Sequence, residues 1–354
     1  MTGFVRQFVS YSQYQICSAA EGEWLEIYTV GDDLLHVGGP AGCTGFTGVH
    51  TGDIEIQIRA YGSEPPLDDD DAWDAAAETT LWCPAGRLTV IGLLGGHRDG
   101  LTGVPVPGDG LIRLRAYARN RIHESVREDD DPPEQHELHV WPVTEETGRL
   151  SLWTDGSRGD WRQEPGKAAE WAMRRLLEQC RDREQRRDDA PGARVTVVRS
   201  RTLPAAVARV LPECLAGVIP AGDLEIRLRP ADSPPTGAEP AALTWEWATA
   251  AQPISPYPVT TLPDEATSPV RFLVGPGDGG AEVTVRHEGV PCRQAVLLGL
   301  IWDHLLDGVT GPRRPAPEAW AWEVTLRARA AEATRLAERR RRLEEDAGAW
   351  GGAG

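Results

Sequence analysis

The chain has 354 residues, of which 40% are apolar and 26% charged; that length suits about two domains, and the composition excludes collagen, a mucin-like stalk and wholesale disorder. Its net charge of −17 is uneven: residues 1–150 hold 25 acidic and 10 basic side chains, net −15, whereas residues 151–354 hold 29 and 27, net −2. That field argues against nucleic acid and anionic membrane surfaces as partners and favours a basic protein, and no run approaches the roughly 18 apolar residues a membrane helix needs.

Residues 1–145 read as all-β. Strand-like runs fall at Phe8–Ile16, Leu25–Val30, Ile54–Arg59, Ala76–Trp82, Arg87–Gly92, Leu111–Ala118 and Glu137–Trp141. Turn sequences separate them: Gly38-Gly-Pro40, Pro65-Pro66, Gly95-Gly96 and Pro107-Gly-Asp-Gly110. In the run 54–59, Ile54, Ile56 and Ile58 share one face and Glu55, Gln57 and Arg59 the other, the period of a strand with one face in a core. Many short strands without helices between them imply a sandwich or barrel, of which a sandwich is the expectation here. Two acidic runs interrupt the pattern, Asp68, Asp69, Asp70 and Asp71, then Glu128, Asp129, Asp130 and Asp131 before Pro132-Pro133. Like charges in a row favour solvated loops, and these two loops are the candidate partner-binding surface. The plainer reading is that they keep the loops soluble.

Residues 146–192 read as a helical connector. Pro165-Gly166 opens a helical pattern that runs to about Arg187 and stops before Ala190-Pro-Gly192. Residues 193–310 change to α+β. Val195–Arg199 is a strand, Ala205–Leu215 a short helix, and Asp223–Arg229, Ala242–Thr249, Val270–Val274 and Ala281–His287 are further strands. Arg293–Asp307 has the i, i+3, i+4, i+7 spacing of a buried helix. Residues 311–354 carry a Pro-rich stretch, then an Arg- and Glu-rich helix and a disordered tail. The Arg339–Arg342 run is flanked by Glu338, Glu344, Glu345 and Asp346, so it reads as an ion-paired solvated face. Gly52–Arg59 echoes Gly222–Arg229; convergent strand alternation accounts for this without a duplication.

Few motifs carry chemistry. Cys17, Cys43, Cys83, Cys180, Cys214 and Cys292 are scattered, with no CxxC pair, and read as reduced thiols. There is no phosphate-binding GxxxxGK[ST], no HExxH and no GxSxG. His136-Glu-Leu-His139 suggests a metal pair, but on a strand i and i+3 face opposite ways. No metal and no cofactor is expected. His50 sits in a Gly-flanked turn and is a weak site candidate. The interrupted apolar stretch at the N-terminus does not read as a secretory signal, so a cytoplasmic address is expected.

Two resemblances sharpen this. The segment Val270–Pro291, with Gly277-Asp-Gly279 and His287-Glu-Gly289, followed by Gly299–Leu306 with Trp302 at its middle, resembles the end of an SRPBCC (START-like) helix-grip domain of the heat-shock ATPase activator branch. The likeness covers about residues 193–310. It departs from the family in a short opening helical region, a Pro-rich stretch over 252–264 and the 40 residues that follow. It implies a curved antiparallel sheet gripping a long helix, with room between them for a hydrophobic ligand. Trp245, Trp247, Phe272, His287 and Trp302 are then the candidate pocket residues, unless the aromatics fill a solid core and His287 caps a turn at a strand end. Val9-Ser-Tyr-Ser-Gln-Tyr14, with the acidic all-β layout, resembles competence nuclease-inhibitor (ComJ-type) domains, which implies binding to a protein.

The expectation is therefore a multi-domain chain: an all-β sandwich, a helical connector and an α+β helix-grip domain. Its function is expected to be non-enzymatic binding of a protein partner or a hydrophobic small molecule. The alternatives are an inhibitor of a basic enzyme such as a nuclease, and a cyclase- or hydrolase-like enzyme using His287, His304 or Glu246.

Overall fold

The computed structural model describes residues 3–18, 34–39, 41–68, 72–108, 110–121, 131–154, 194–215, 217–221, 224–230, 241–249 and 267–310. Among them it is mostly strand.

The run expected as one strand over Phe8–Ile16 breaks in its middle. Tyr11 and Ser12 both take positive φ, 57° and 54°, so Val5–Ser10 (β1) turns tightly into Gln13–Cys17 (β2). That left-handed pair matches the twist of a two-residue hairpin. Leu35–Gly39 (β3), Gly42–Phe46 (β4) and Thr51–Ala60 (β5) follow, then Ala75–Trp82 (β6), Arg87–Gly92 (β7), Val104–Pro105 (β8), Leu111–Arg119 (β9) and Gln135–Val143 (β10). After a two-residue strand, Glu145–Glu146 (β11), Leu150–Trp153 (β12) pairs with β6. The described start of the expected connector is therefore strand; the rest of that connector lies outside the described residues.

All of these strands except β11 form one sheet in the order β12-β6-β9-β10-β5-β1-β2-β4-β3, with β7 branching from β2 and β8 from β7. β3 and β4, near one end, come back within reach of β6, near the other. The sheet therefore curls, and its inner face closes on one core, as two sandwich layers would. Val9, Ile16, Leu35, Ile54, Ile56, Leu81, Val90, Leu114 and Leu138 all lie in that core.

The second sheet has the order β11-β13-β18-β17-β16-β15-β14. Arg194–Leu203 is β13, Gly217–Ala221 β14, Leu224–Pro230 β15, Ala241–Thr249 β16, Thr267–Gly277 β17 and Gly280–Pro291 β18. A short helix, Ala205–Leu215 (α1), follows β13 directly, and Cys292–Thr310 (α2) follows β18. From β14 to β18 each strand pairs antiparallel with the next. In β18 the buried residues Ala281, Val283, Val285 and His287 alternate, and Ile301, Trp302, Leu305 and Leu306 of α2 are buried at helical spacing.

By their internal contacts the described residues divide into two units. The first is built on the strands up to Trp153 with 194–197 and Val290–Leu300, the second on Val198–Gly289 and 301–310. No helix among the described residues is long and apolar enough to cross a membrane.

Candidate functional site

Strand alternation gives the first sheet two unlike faces. Register pairs Glu78 with Arg115, Arg115 with His139 and His139 with Arg59. One row across β6, β9, β10 and β5 is thus made of ionisable groups. The next row runs Ala76, Tyr117, Glu137, Gln57. A face of this kind normally meets solvent, yet Arg113, Arg115, Tyr117, Glu137 and His139 are all buried. Residues 64–68 supply part of the cover. Arg115 donates to the carbonyls of Pro65 (3.1 Å) and Pro66 (3.2 Å) and to Glu64 Oε1 (3.1 Å), and the Asp68 backbone N–H donates to the Tyr117 hydroxyl (3.1 Å). Trp73 and Trp153 pack against Tyr117 at ring separations of 5.5 and 5.9 Å.

The charges beneath that cover are mutually engaged. Glu78 accepts from Arg115 Nε (2.6 Å) through one oxygen and from Arg113 Nε (2.9 Å) through the other. Arg113 also donates to Thr80 and to the Gly148 carbonyl. Arg115 stacks on Trp141 and Arg119 on Trp73, each 4.9 Å from the ring centre. Glu137 Oε1 receives both Arg59 Nε (2.9 Å) and His139 Nε2 (2.5 Å). Burial pushes the Tyr117 phenol above its ordinary range, against the opposing pull of the Asp68 N–H and Arg115. Asp68 Oδ2 lies 4.0 Å from His139 Nε2, and one ligand atom each of Asp68, Glu137 and His139 falls within 4.8 Å of the others.

The opposite, core-facing side of β10 holds a second polar group. Tyr14 bonds His136 Nδ1 at 2.9 Å and His136 Nε2 bonds Glu134 Oε1 at 2.8 Å. Glu134 also accepts the Gly48 and Val49 backbone N–H groups, each at 2.9 Å. Burial would raise the Glu134 pKa, but the His136 contact and the two amides outweigh it and hold the carboxyl below its ordinary value. Burial pushes the Tyr14 phenol up. This chain of bonds ties the 47–49 turn to β10 and is structural.

His136 and His139 thus stand on opposite faces, as strand geometry requires. What the sequence reading missed is that each has a Glu two residues before it, hence on its own face: Glu134 for His136 and Glu137 for His139. His50 is exposed, its Nδ1 against Thr51 Oγ1 at 3.0 Å and its ring against Tyr11.

In the second unit, Phe272, His287 and Trp302 come together. Phe272 and Trp302 meet edge to face at 6.2 Å, and His287 and Trp302 at 6.1 Å; their exposures are 2%, 0% and 0%. The structure corrects the strand-end role for His287. β18 continues to Pro291, so the side chain lies inside the strand and in the core. Trp302 Nε1–H donates to His287 Nδ1 (3.2 Å), which leaves the ring proton on Nε2, against Ser268 Oγ at 2.6 Å. Burial pushes the His287 pKa down to about 3. Trp245 stands opposite Leu228 and Ser268, and Trp247 opposite Ile226; the side chains of both, and of Glu246 and His304, lie outside the described residues. So do Asp69, Asp70, Asp71, Glu128, Asp129 and Asp130. Asp131 is half-buried. Of the six cysteines, Cys17, Cys43, Cys83 and Cys292 have described side chains, and these four are free. Burial lifts Cys17 to about 12 and Cys43 higher still, so neither is a nucleophile near neutral pH.

No family model matches the chain, and no curated protein matches it. A solved structure described as crocagin biosynthetic gene J is 14% identical over 40% of this chain and 96% of its own, with a TM-score of 0.26. The di-domain ARO/CYC StfQ from the steffimycin biosynthetic pathway is 13% identical over 74% of this chain and 90% of its own, with a TM-score of 0.16.

Proposed function

We propose that this chain is a non-enzymatic binding protein of the cytoplasm. Its C-terminal half is a helix-grip domain closed by its own side chains and used for docking, and its acidic N-terminal β domain engages a basic protein. The order strand, short helix, antiparallel meander, long helix supports the helix-grip reading. The observation that carries the choice of docking over ligand carriage is the packing of Phe272, His287 and Trp302. All three are 2% exposed or less, which favours side chains that fill the grip in place of a ligand. Both ring nitrogens of His287 are engaged within the protein, so it offers no base to a substrate and the enzyme reading loses its best-placed candidate. The excess of 15 negative charges in residues 1–150 supports a basic partner; inhibition of a basic enzyme is the form that binding takes if the partner is a nuclease.

Native mass spectrometry of the protein isolated from its own host, before and after denaturation, tests this. The expected result is a retained protein partner and no stoichiometric small molecule. A small molecule released on denaturation overturns the docking reading in favour of a carrier or an enzyme. Neutralising Asp68–Asp71 and Glu128–Asp131 to Asn and Gln should weaken that complex; an unchanged complex rules out the acidic face.

A further inference from the structure

We propose that Asp68, Glu137 and His139 form a binding site for a first-row divalent transition-metal cation of the zinc class. It shares Asp68 with the partner reading above but does not rest on it, and its test reads metal rather than partner binding.

The donor set comes first. One imidazole nitrogen and two carboxylates suit zinc and its neighbours, whereas magnesium and calcium take oxygen ligands alone. An ion about 2.0–2.2 Å from each ligand keeps any two of them within roughly 4.4 Å. The three ligand atoms lie within 4.8 Å of one another; an ion between them takes the place of the 2.5 Å hydrogen bond between His139 Nε2 and Glu137 Oε1 and draws Asp68 inward. Glu137 and His139 stand two residues apart on β10, in the middle of a sheet, and are 3% and 2% exposed. Their positions are therefore set by the strand and its neighbours.

The surroundings are arranged in the same sense. Arg59 binds Glu137 through Oε1, which His139 also contacts; Oε2 has no hydrogen bond or ion pair among the described residues. An arginine that orients a carboxylate while leaving one oxygen for an ion is an ordinary outer partner of a metal ligand. Other carboxylates on this face have arginine partners: Glu78 with Arg113 and Arg115, Glu64 with Arg115. Asp68 has none among the described residues, and its side chain is 40% exposed, so an ion reaches the site from its side.

The other ring nitrogen is unpartnered. His139 Nδ1 is buried and has no hydrogen-bond partner, and the ring is held by Tyr61 and Tyr117 at 5.0 and 5.1 Å. A buried acceptor left without a partner is costly. The ring presents Nε2, not Nδ1, to Glu137 and Asp68, so Nε2 is the ligand atom. On binding, the ion replaces Glu137 Oε1 as the partner of Nε2, and the Nε2 proton passes to Nδ1, which stays without a partner among the described residues.

The test uses the full chain, stripped with a chelator and titrated with zinc chloride by calorimetry, with metal content read after dialysis. One equivalent of zinc is expected, bound at least tenfold more weakly by Asp68→Asn and His139→Gln and unchanged in His50→Gln. Zinc should also raise the unfolding temperature of the wild type but not of Asp68→Asn. Because Asp68 is partly exposed, Asp68→Asn keeps the fold and decides the matter if His139→Gln does not. Absence of stoichiometric zinc, a zinc equivalent that survives Asp68→Asn as a thiol-held ion would, or tighter binding of magnesium than of zinc overturns the proposal.

Discussion

His287 shows how one buried ring can make stability depend on pH. Its pKa, near 6.5 in an unfolded chain, falls to about 3 in the fold because burial disfavours the charged form. The unfolded chain therefore takes up a proton below about pH 6.5 that the folded chain refuses. The stabilisation is complete above that pH and shrinks by about 1.4 kcal/mol per unit as pH falls toward 3. His287→Gln keeps an acceptor for Trp302 and a donor for Ser268 but cannot titrate. Urea unfolding followed by tryptophan fluorescence should show the wild type losing about 2 kcal/mol more than this variant between pH 6.5 and 5. Equal losses would mean that the ring is hydrated in the folded state. Glu134 acts at lower pH and by a different route. As a carboxylate it accepts two backbone N–H groups and His136 at once. Glu134→Gln turns a donor toward donors, and a loss of about 2–4 kcal/mol is expected at neutral pH, read as a lower denaturation midpoint.

Hairpins and close crossings set the first sheet. Tyr11 and Ser12 both occupy the left-handed region, which costs a non-glycine residue roughly 1–2 kcal/mol. The turn's backbone bonds, Ser12 N–H to the His50 carbonyl and Thr47 N–H to the Ser12 carbonyl, are independent of side chain. Replacing the pair with Asn-Gly should stabilise the protein by about 1 kcal/mol, a rise of about 2–4 °C in melting temperature. At Gly92 the reverse holds. A Cβ there would lie 1.9 Å from the Phe8 carbonyl oxygen, so Gly92→Ala must push β7 away from β1 and should cost about 1–3 kcal/mol in chemical denaturation. Neither feature was legible in the sequence. Tyr-Ser is not turn chemistry, so Phe8–Ile16 reads as one strand, and Gly92 reads as a strand end. Alternation did show through where side chains alone decide: Ile54, Ile56 and Ile58 are the core face of β5. Ala205–Leu215 was legible as a helix for a related reason, an apolar run opened by Pro204 at a helix start. Of the candidate site, only the Glu-x-His spacing on β10 could have been read from sequence. That Asp68 reaches His139, and that Glu78, Arg115, His139 and Arg59 form one row, depends on strand register between distant segments, which local pattern does not encode.

At the scale of the whole chain, charge and packing point in different directions, and the difference bears on function. The first 150 residues carry a net charge of −15, yet the ionisable groups on the outer face of β6, β9, β10 and β5 are largely neutralised by one another. The unbalanced charge therefore belongs to the remainder of that half, where the two acidic runs lie. On the proposal of a basic partner, solvated charges of this kind would speed encounter more than they hold the complex together, because they are screened within about 10 Å at 0.1 M salt. Association with a basic partner should accordingly slow by at least tenfold between about 20 and 500 mM sodium chloride, with a much smaller change in dissociation rate. Stopped-flow or surface-immobilised kinetics would measure both. A dissociation rate that carried most of the salt effect would place the binding energy in buried ion pairs, and would point to the covered row around Arg115 and Glu137 opening on contact. An association rate insensitive to salt would leave the acidity of this half as a matter of solubility alone.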